Sequence, residues 1–470
     1  MSTPLIFIFL PLFIALILVF LRRKPKLSNI IGAVSAFLFA LVAHFLPEDL
    51  SFNLGSLSIE LTQSFNFLGR SLDISHANLV FVSLAFIICG LWMLGSAWLD
   101  ISIWFRPISL AVTALLIAAL GVNPFLYAAL LIELVVLLFI PLLSPKGEET
   151  NTGVMRFLIF QTMALPPILL TGWMLSGIET APSNSPLILR AAILVFLGFA
   201  LWLAFIPFHT WLPIISENSH PWVVSFILLI MPTTIMIFLL TFFDRYAWLR
   251  NLPLFYEILR FLSTIMILVG GLLLTIEKNL GRAFGYAVIV ETGFSILAMS
   301  LNPQGGLAWF SMLLLPRTLG YWLWSFSLSL IKQRFKELSF TNVTGLFHDF
   351  PFASSGLIVG QLSIAGLPLF ASFPVKRLIW FNIGSPDLVN ALLIFIGSSG
   401  LFVFVINSLI HFLKQGNETT STEKPIEPMS HKIIITTSIL LLVLFGILPQ
   451  IILPHWTKLL LVFERFPILP

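Results

Sequence analysis

Long, uninterrupted apolar stretches are the feature that most constrains the fold of this chain. Residues 221–243, PWVVSFILLIMPTTIMIFLLTFF, carry no charged side chain and are long enough to cross the hydrocarbon core of a bilayer as one helix. Because the bilayer offers backbone N–H and C=O groups no partner, only helices or a closed β-barrel can cross it. The stretches do not alternate apolar and polar residues, which excludes the barrel. The sequence therefore predicts an all-α membrane protein.

The composition agrees with this fold class and narrows the function. Of the 470 residues, 58% are hydrophobic and 10% are charged, whereas soluble domains carry about a quarter charged residues. The single cysteine, Cys89, excludes internal disulfides and thiolate metal clusters. The net charge of +4 is small, and the basic residues are spread over loops, so we expect no nucleic-acid partner.

Fourteen membrane spans are predicted. The first has no basic leader before it, so we expect a retained helix and not a cleaved signal peptide. Lys and Arg are more frequent in the loops on the side of residues 22–26, which is expected to place both termini on the outer side. The predicted spans are 4–21, 28–46, 77–98, 103–121, 123–143, 153–174, 187–206, 221–243, 253–276, 282–301, 306–331, 353–380, 387–413 and 432–452.

Four ionisable side chains stand out inside these spans, where charges are costly and often mark an ion path. Glu133 and Glu291 lie near the middle of the fifth and tenth spans, and Arg317 follows Pro316 in the eleventh. Lys376 follows Pro368 and Pro374 in the twelfth span, which favours a helix broken between these prolines, of the kind that transporters use for ion sites. A structural alternative remains, because Glu291 and Arg317 could be a fixed ion pair that only holds helices together.

A corner rich in proline and histidine interrupts the apolar pattern at residues 203–223, LAFIPFHTWLPIISENSHPWV. Pro207 is predicted to break or end the seventh span. His209, Glu217 and His220 follow it, and histidine is the side chain whose charge changes near neutral pH. The corner is interpreted either as a proton entrance or as a purely structural turn.

These segments together resemble the antiporter-like, proton-translocating membrane subunits of respiratory complex I. Related subunits occur in membrane-bound hydrogenases and in multisubunit sodium/proton antiporters. PFHTWLP (207–213) and SHPWVVSFIL (219–228) resemble the corner and the start of the eighth span in that family. GRAFGYAVIVETGFSILAMSL (281–301) and LSIAGLPLFASFPVKRLIW (362–380) are similar to its tenth-span and twelfth-span segments. The resemblance covers about residues 75–410.

The resemblance implies an architecture and a set of roles. Spans 4–8 and 9–13 would form two inverted five-helix repeats, with helices 7 and 12 discontinuous. Glu133 falls on the fifth-span glutamate of the family, and Lys376 falls on its twelfth-span lysine. The implied parts are N-terminal helices (1–102), a first repeat (103–243), a second repeat (253–413), and a linker, last helix and interfacial tail (414–470).

The chain departs from the family pattern in its first half. Trp202 stands where the seventh-span lysine belongs, and Thr233 stands where the eighth-span lysine belongs. Glu291 replaces a common tenth-span histidine. We therefore expect Glu133 to be a buried, neutral remnant and proton transfer to use Glu291, Arg317 and Lys376.

The resulting functional hypothesis is an antiporter-like subunit that contributes to proton translocation in a redox-driven complex. The sequence has no nucleotide loop, cysteine cluster or matched axial histidines, so we expect no catalytic centre and no cofactor; the corner is explained without a metal. Expected partners are other membrane subunits, lipids, and protons or sodium ions, in a bacterial or archaeal cytoplasmic membrane or an organelle inner membrane. The alternatives are a non-conducting scaffold subunit, a subunit of a cation/proton antiporter or membrane-bound hydrogenase, and a stand-alone transporter.

Overall fold

The computed structural model is helical over most of its described length. The described residues are 2–46, 51–54, 57–67, 69–76, 78–124, 126–144, 152–178, 186–250, 253–301, 305–335, 337–384, 387–414, 427–451 and 463. A π-helical turn (Leu5–Phe9) precedes the first α-helix, and a short 3₁₀ turn (Pro449–Ile451) follows the last. The helices are α1 (Leu10–Leu21), α2 (Pro25–Phe45), α3 (Leu79–Gly95), α4 (Phe105–Gly121), α5 (Leu126–Leu143), α6 (Thr152–Met163), α7 (Leu165–Ile178), α8 (Pro186–Trp202), α9 (Trp211–Asn218), α10 (Pro221–Arg245), α11 (Ala247–Arg250), α12 (Pro253–Ile276), α13 (Leu280–Ser300), α14 (Gly306–Arg334), α15 (Leu346–Asp349), α16 (Pro351–Ala365), α17 (Phe373–Gly384), α18 (Leu388–Leu413) and α19 (Met429–Ile447).

The apolar helices support a membrane protein, and the number of crossings stays a prediction. Within the described residues, 8 helices are long and apolar enough to cross a membrane by length and composition. Further apolar helices, such as Phe105–Gly121 and Pro186–Trp202, are shorter. Helices lie over each of the fourteen predicted ranges, but the shorter ones do not by themselves establish a crossing.

The segment between α2 and α3 is where the all-α prediction is incomplete. It forms two small antiparallel sheets, the second of which takes its third strand from the end of α4. The cause is a period of two, because polar and apolar residues alternate in SFNF and LSIE and suit a half-buried strand. The strands are β1 (Ser51–Leu54), β2 (Leu57–Glu60), β3 (Ser64–Phe67), β4 (Arg70–Asp73) and β5 (Val122–Asn123).

Two helices form the centre of the bundle. In α10 and α13, 94% of the most apolar window is buried inside the protein, against 11% in α19. A side chain on α10 or α13 is therefore surrounded by protein on nearly every side. A polar group there needs protein partners, because lipid and bulk water cannot reach it.

Glycines allow the closest helix contact in the bundle, between α12 and α18. A Cβ atom at Gly271 would lie 1.7 Å from the Gly397 carbonyl oxygen, and one at Gly400 would lie 2.1 Å from the Gly271 carbonyl oxygen. Association of membrane helices depends on this close packing, because the lipid is as apolar as the side chains. No other residue fits at these positions without moving the helices apart.

Two pairs of helices are separated by short non-helical segments. Helix α8 ends at Trp202 and α9 begins at Trp211, while α16 ends at Ala365 and α17 begins at Phe373. The break expected near Pro207 falls in the first segment. The break expected between Pro368 and Pro374 falls in the second, although Pro374 itself belongs to the first turn of α17.

The C-terminal part of the chain is described only in pieces. Helix α19 packs against α14 and α16. Most of the predicted flexible linker, 415–426, and the predicted interfacial tail, apart from Phe463, lie outside the described residues.

Candidate ion-transfer site

Three of the predicted site residues meet in the centre of the bundle. Glu291 lies in the middle of α13, Arg317 lies on α14, and Lys376 lies in the first turn of α17. Their exposed fractions are 1%, 3% and 7%. We call these three residues the Glu291 cluster.

Each oxygen of the Glu291 carboxylate faces a different cation. The Lys376 Nζ atom lies 2.5 Å from Glu291 Oε1, and the Arg317 Nε atom lies 3.5 Å from Glu291 Oε2. Arg317 also donates through Nη2 to the Glu291 carbonyl oxygen at 3.0 Å and to the Ser295 hydroxyl. The guanidinium therefore holds both the side chain and the backbone of Glu291.

The end of α16 completes the environment of the Lys376 ammonium. Lys376 donates to the carbonyl oxygen of Ile364, in the last turn of α16, where the helix dipole is negative and favours a cation. Gly366 ends that helix with a φ of +82°, and a Cβ atom there would lie 2.9 Å from Lys376 Cδ. The Phe294 ring centre lies 4.4 Å from the ammonium, which adds a cation–π contact. The helix break thus supplies a backbone ligand inside the membrane.

The charges of the Glu291 cluster do not balance. Two cations face one carboxylate, so the cluster carries a net charge of +1 when Lys376 is protonated. Arg317 cannot release its proton in a protein. Loss of the Lys376 proton leaves the neutral set of Glu291⁻ and Arg317⁺, so Lys376 is the group of the three that can exchange a proton at least cost.

The predicted corner residues lie at one face of the bundle, apart from the Glu291 cluster. Glu217, at the end of α9, pairs with Arg282 at 3.3 Å and accepts from the Asn279 amide at 3.3 Å. With His220 it lines a cavity of about 780 Å³ whose wall also contains Lys332 and Asp100. We call this cavity the vestibule. His209 lies half-buried between α8 and α9 and does not line it.

His220 caps the start of α10. Its Nδ1 atom accepts from the Trp222 backbone N–H at 3.3 Å. Burial, and then the charge of Lys332, lower the pKa of His220 to about 4. The imidazole is therefore neutral near pH 7, and the geometry favours the structural alternative for this residue.

Glu133 contradicts the expectation of a buried remnant. It is half-exposed on α5, and its Oε1 atom accepts from the Thr162 hydroxyl at 2.7 Å at the exposed surface. Helical spacing explains the orientation, because positions three and four residues away share a face. Leu130 and Leu137, three residues before and four residues after Glu133, are 46% and 47% exposed.

Aromatic side chains fill the place of the family's seventh-span lysine. Trp202 is the last residue of α8 and is buried. Its ring contacts Phe199 and Phe238, with centroids 5.6 and 6.3 Å away. Thr233, at the eighth-span position, is buried on α10. Among the described residues, no lysine, arginine or histidine forms a salt bridge with Glu133 in place of the two lysines of the family.

Several contributors to these sites were not predicted. They are the Ile364 carbonyl oxygen, Ser295 and Phe294 around the Glu291 cluster, and Arg282, Glu277 and Lys332 around Glu217 and His220. The sequence signal for Ile364 was available, because Gly366 directly after an apolar helix is typical of a helix end. The other contacts join distant segments and leave no local signal.

We expect His220 to stay neutral from about pH 8 down to about pH 5, because its lowered pKa lies below that interval. The measurement is the ¹⁵N spectrum of histidine-labelled protein in membranes, with the His220 signal assigned by its absence in His220→Asn. The neutral tautomer should persist throughout the interval. A His220 signal that titrates near pH 6.5 would show that the corner can carry protons.

Comparison with known proteins gives the chain a family. The sequence profile of the NADH:quinone oxidoreductase/Mrp antiporter transmembrane family matches residues 152–402. The chain is 25% identical over 285 residues to NADH-quinone oxidoreductase subunit N of Deinococcus radiodurans, an alignment that covers 57% of this chain and 55% of that protein. The match thus spans about half the length of this relative.

Solved structures share the fold. A chain of respiratory complex I from Thermus thermophilus matches with a TM-score of 0.71 and 19% identity, covering 94% of this chain and 97% of its own length. A chain of the Mrp complex from Dietzia sp. matches with a TM-score of 0.82 and 13% identity, covering 98% and 97%. With its apolar helices, this chain is a multi-pass integral membrane protein. It belongs to the NADH:quinone oxidoreductase/Mrp antiporter transmembrane family.

Proposed function

We propose that the chain is an antiporter-like membrane subunit of a redox-driven, ion-translocating complex and that protons cross it at the Glu291 cluster. The observation that carries this proposal is a lysine, buried beside a helix break, that shares one carboxylate with an arginine. Fourteen crossings, two inverted repeats and the four parts bounded at 102, 243, 253 and 413 belong to the same proposal. We place the protein in a bacterial or archaeal cytoplasmic membrane or an organelle inner membrane.

Proton transfer at the cluster needs only one group to change its charge. The Lys376 ammonium gives its proton to an acceptor on one side and takes one up from the other. Arg317, which keeps its own proton, faces the Glu291 carboxylate at 3.5 Å and supplies it with a fixed positive partner. The Ile364 carbonyl oxygen and the Phe294 ring favour the protonated form, which offsets part of the cost of a net charge in the membrane.

A non-conducting scaffold is the second candidate, and two observations favour it. Arg317 binds Glu291 through both the carboxylate and the backbone, which is also the geometry of a static helix clamp. The aromatic filling around Trp202 removes the first half as a route of the family type. Transport measurements separate the two candidates.

Replacing Lys376 by Ala should reduce proton uptake by about a hundredfold, the scale expected when one proton-transfer group is lost. Glu133→Gln should change uptake little, because glutamine still accepts from the Thr162 hydroxyl. The measurement is proton uptake into proteoliposomes that hold the assembled complex and its redox driver.

Lys376→Arg is the matched control for this experiment. Arginine keeps a cation beside Glu291 but cannot release its proton, so the complex should assemble and uptake should stop. Uptake unchanged in both Lys376 variants would support the scaffold. Loss of uptake in Glu133→Gln alone would assign conduction to the first half.

We also propose that the outward face of α5 and α6 around Glu133 packs against another membrane subunit that presents a cation or a hydrogen-bond donor. A carboxylate at mid-span is costly against lipid, and Thr162 is the partner that the described residues supply. The surrounding side chains suit a helix interface in the membrane, because Met155, Ile159 and Met163 on α6 are more than half exposed and apolar.

Reversing the charge at Glu133 tests this interface. Glu133→Lys should release the chain from the complex, because a lysine repels a partner cation and offers no acceptor to a partner donor, whereas Glu133→Gln should remain assembled. Native gel electrophoresis of the solubilised membranes measures assembly, and size-exclusion chromatography of the tagged chain shows that the variant is folded. A folded Glu133→Lys chain that assembles as well as the original would mean that Glu133 faces lipid.

A further inference from the structure

Glu427 is a nearly buried carboxylate, 8% exposed, that binds the start of a distant helix. It lies two residues before α19, and its Oε2 and Oε1 atoms accept from the backbone N–H groups of Phe352 and Ala353 at 3.0 and 2.9 Å. Pro351, the first residue of α16, has no N–H group to satisfy. Glu427 therefore takes the first two free donors of α16, a task usually performed by a residue just before the helix.

The other end of α16 binds Lys376. From Ala353 to Ile364 the helix rises by about 17 Å at 1.5 Å per residue. A carboxylate at its positive end and an ammonium at its negative end both match the helix dipole. One rigid helix thus connects Glu427 with the proton-exchanging group of the Glu291 cluster.

Close packing makes α16 behave as a rod between these two ends. A Cβ atom at Gly360 would lie 2.9 Å from the Trp324 backbone nitrogen on α14, and one at Gly356 would lie 2.8 Å from Ile435 on α19. These contacts oppose sideways movement of α16. What holds its two ends fixes its position along its own axis, and a shift along that axis would move the Ile364 carbonyl oxygen relative to the Lys376 ammonium.

We propose that Glu427 is a positioning residue for Lys376: it anchors the N-terminus of α16 and thereby sets the Ile364 carbonyl oxygen against the ammonium. The proposal rests on the proposed role of the Glu291 cluster in proton transfer. The segment before the last helix thus acts, through α16, on the Glu291 cluster in the centre of the bundle.

The first test does not depend on transport. Glu427→Gln keeps the size of the side chain but loses the charge and one of the two acceptors. Loss of a helix cap of this kind opens the helix about fivefold more often, so amide hydrogen exchange in peptides covering 362–372 should quicken about fivefold in the assembled complex. Asp387→Asn is the matched control, because Asp387 caps α18 through the Asn390 N–H and does not contact α16.

The second readout is the pH dependence of proton uptake by the same variant. An ammonium that has lost its carbonyl acceptor releases its proton more readily, so the midpoint of the profile should move to lower pH in Glu427→Gln and stay in place in Asp387→Asn. Glu427→Asp keeps the charge, so its hydrogen exchange and its midpoint should lie between those of Glu427→Gln and those of the original protein. A merely structural cap would lower the amplitude of uptake without moving the midpoint.

Two results would overturn the positioning role. One is unchanged exchange in 362–372 in Glu427→Gln, and the other is faster exchange there with an unmoved midpoint. If Glu427→Gln fails to assemble, Glu427→Asp is read by the same two criteria. If Lys376→Ala leaves uptake intact, the proposed function fails, while the exchange experiment still decides whether Glu427 holds the end of α16.

Discussion

A single carboxylate in the middle of a membrane helix, Glu291, imposes the arrangement of the helices around it. Its burial is tolerable only because Lys376 and Arg317 each face one of its oxygens. Removal of one partner from a buried ion pair typically costs about 3–5 kcal/mol. Helices α13, α14 and α17 must therefore keep their relative positions.

The end of a helix supplies a backbone hydrogen-bond acceptor to the Glu291 cluster. Helix α16 stops at Gly366, inside the protein, and so leaves the Ile364 carbonyl oxygen free to accept from Lys376. The residue four positions later, Pro368, has no N–H to donate to that carbonyl. The break between α8 and α9 has the same form, but Trp202 occupies its end with an indole ring. The two breaks thus differ in chemistry, and the contacts of the second suit proton exchange.

The sequence predicted much of the fold and part of the site, for identifiable reasons. The apolar runs gave the helices, and the charges at Glu291, Arg317 and Lys376 were visible because ionisable residues are rare in such runs. The pairing of Glu291 with Arg317 was open as an alternative. The contact of Lys376 with Glu291 depends on how α17 is rotated after the helix break. No local sequence pattern encodes that rotation.

The wrong prediction for Glu133 and the features that were not predicted also have physical causes. Glu133 was expected inside the bundle, but in a membrane the lipid-facing and the core-facing sides of α5 are both apolar, so Leu134 and Val135 look alike in sequence. The role of Glu427 joins residues far apart in the chain and had no signal. The strands between α2 and α3 were not predicted, because the alternating segments are only four residues long and lie between long apolar runs.

In the proposed mechanism Lys376 exchanges the proton and Glu291 remains the carboxylate that Arg317 faces. Infrared difference spectra of the assembled complex between alkaline and acidic pH, compared with those of Glu291→Gln, distinguish the two groups. If Lys376 carries the proton, the original protein and Glu291→Gln show the same carboxylic acid C=O bands at acidic pH. A protonated-carboxyl band that grows with acid and is missing in Glu291→Gln would show that Glu291 itself carries the proton and that the mechanism is wrong.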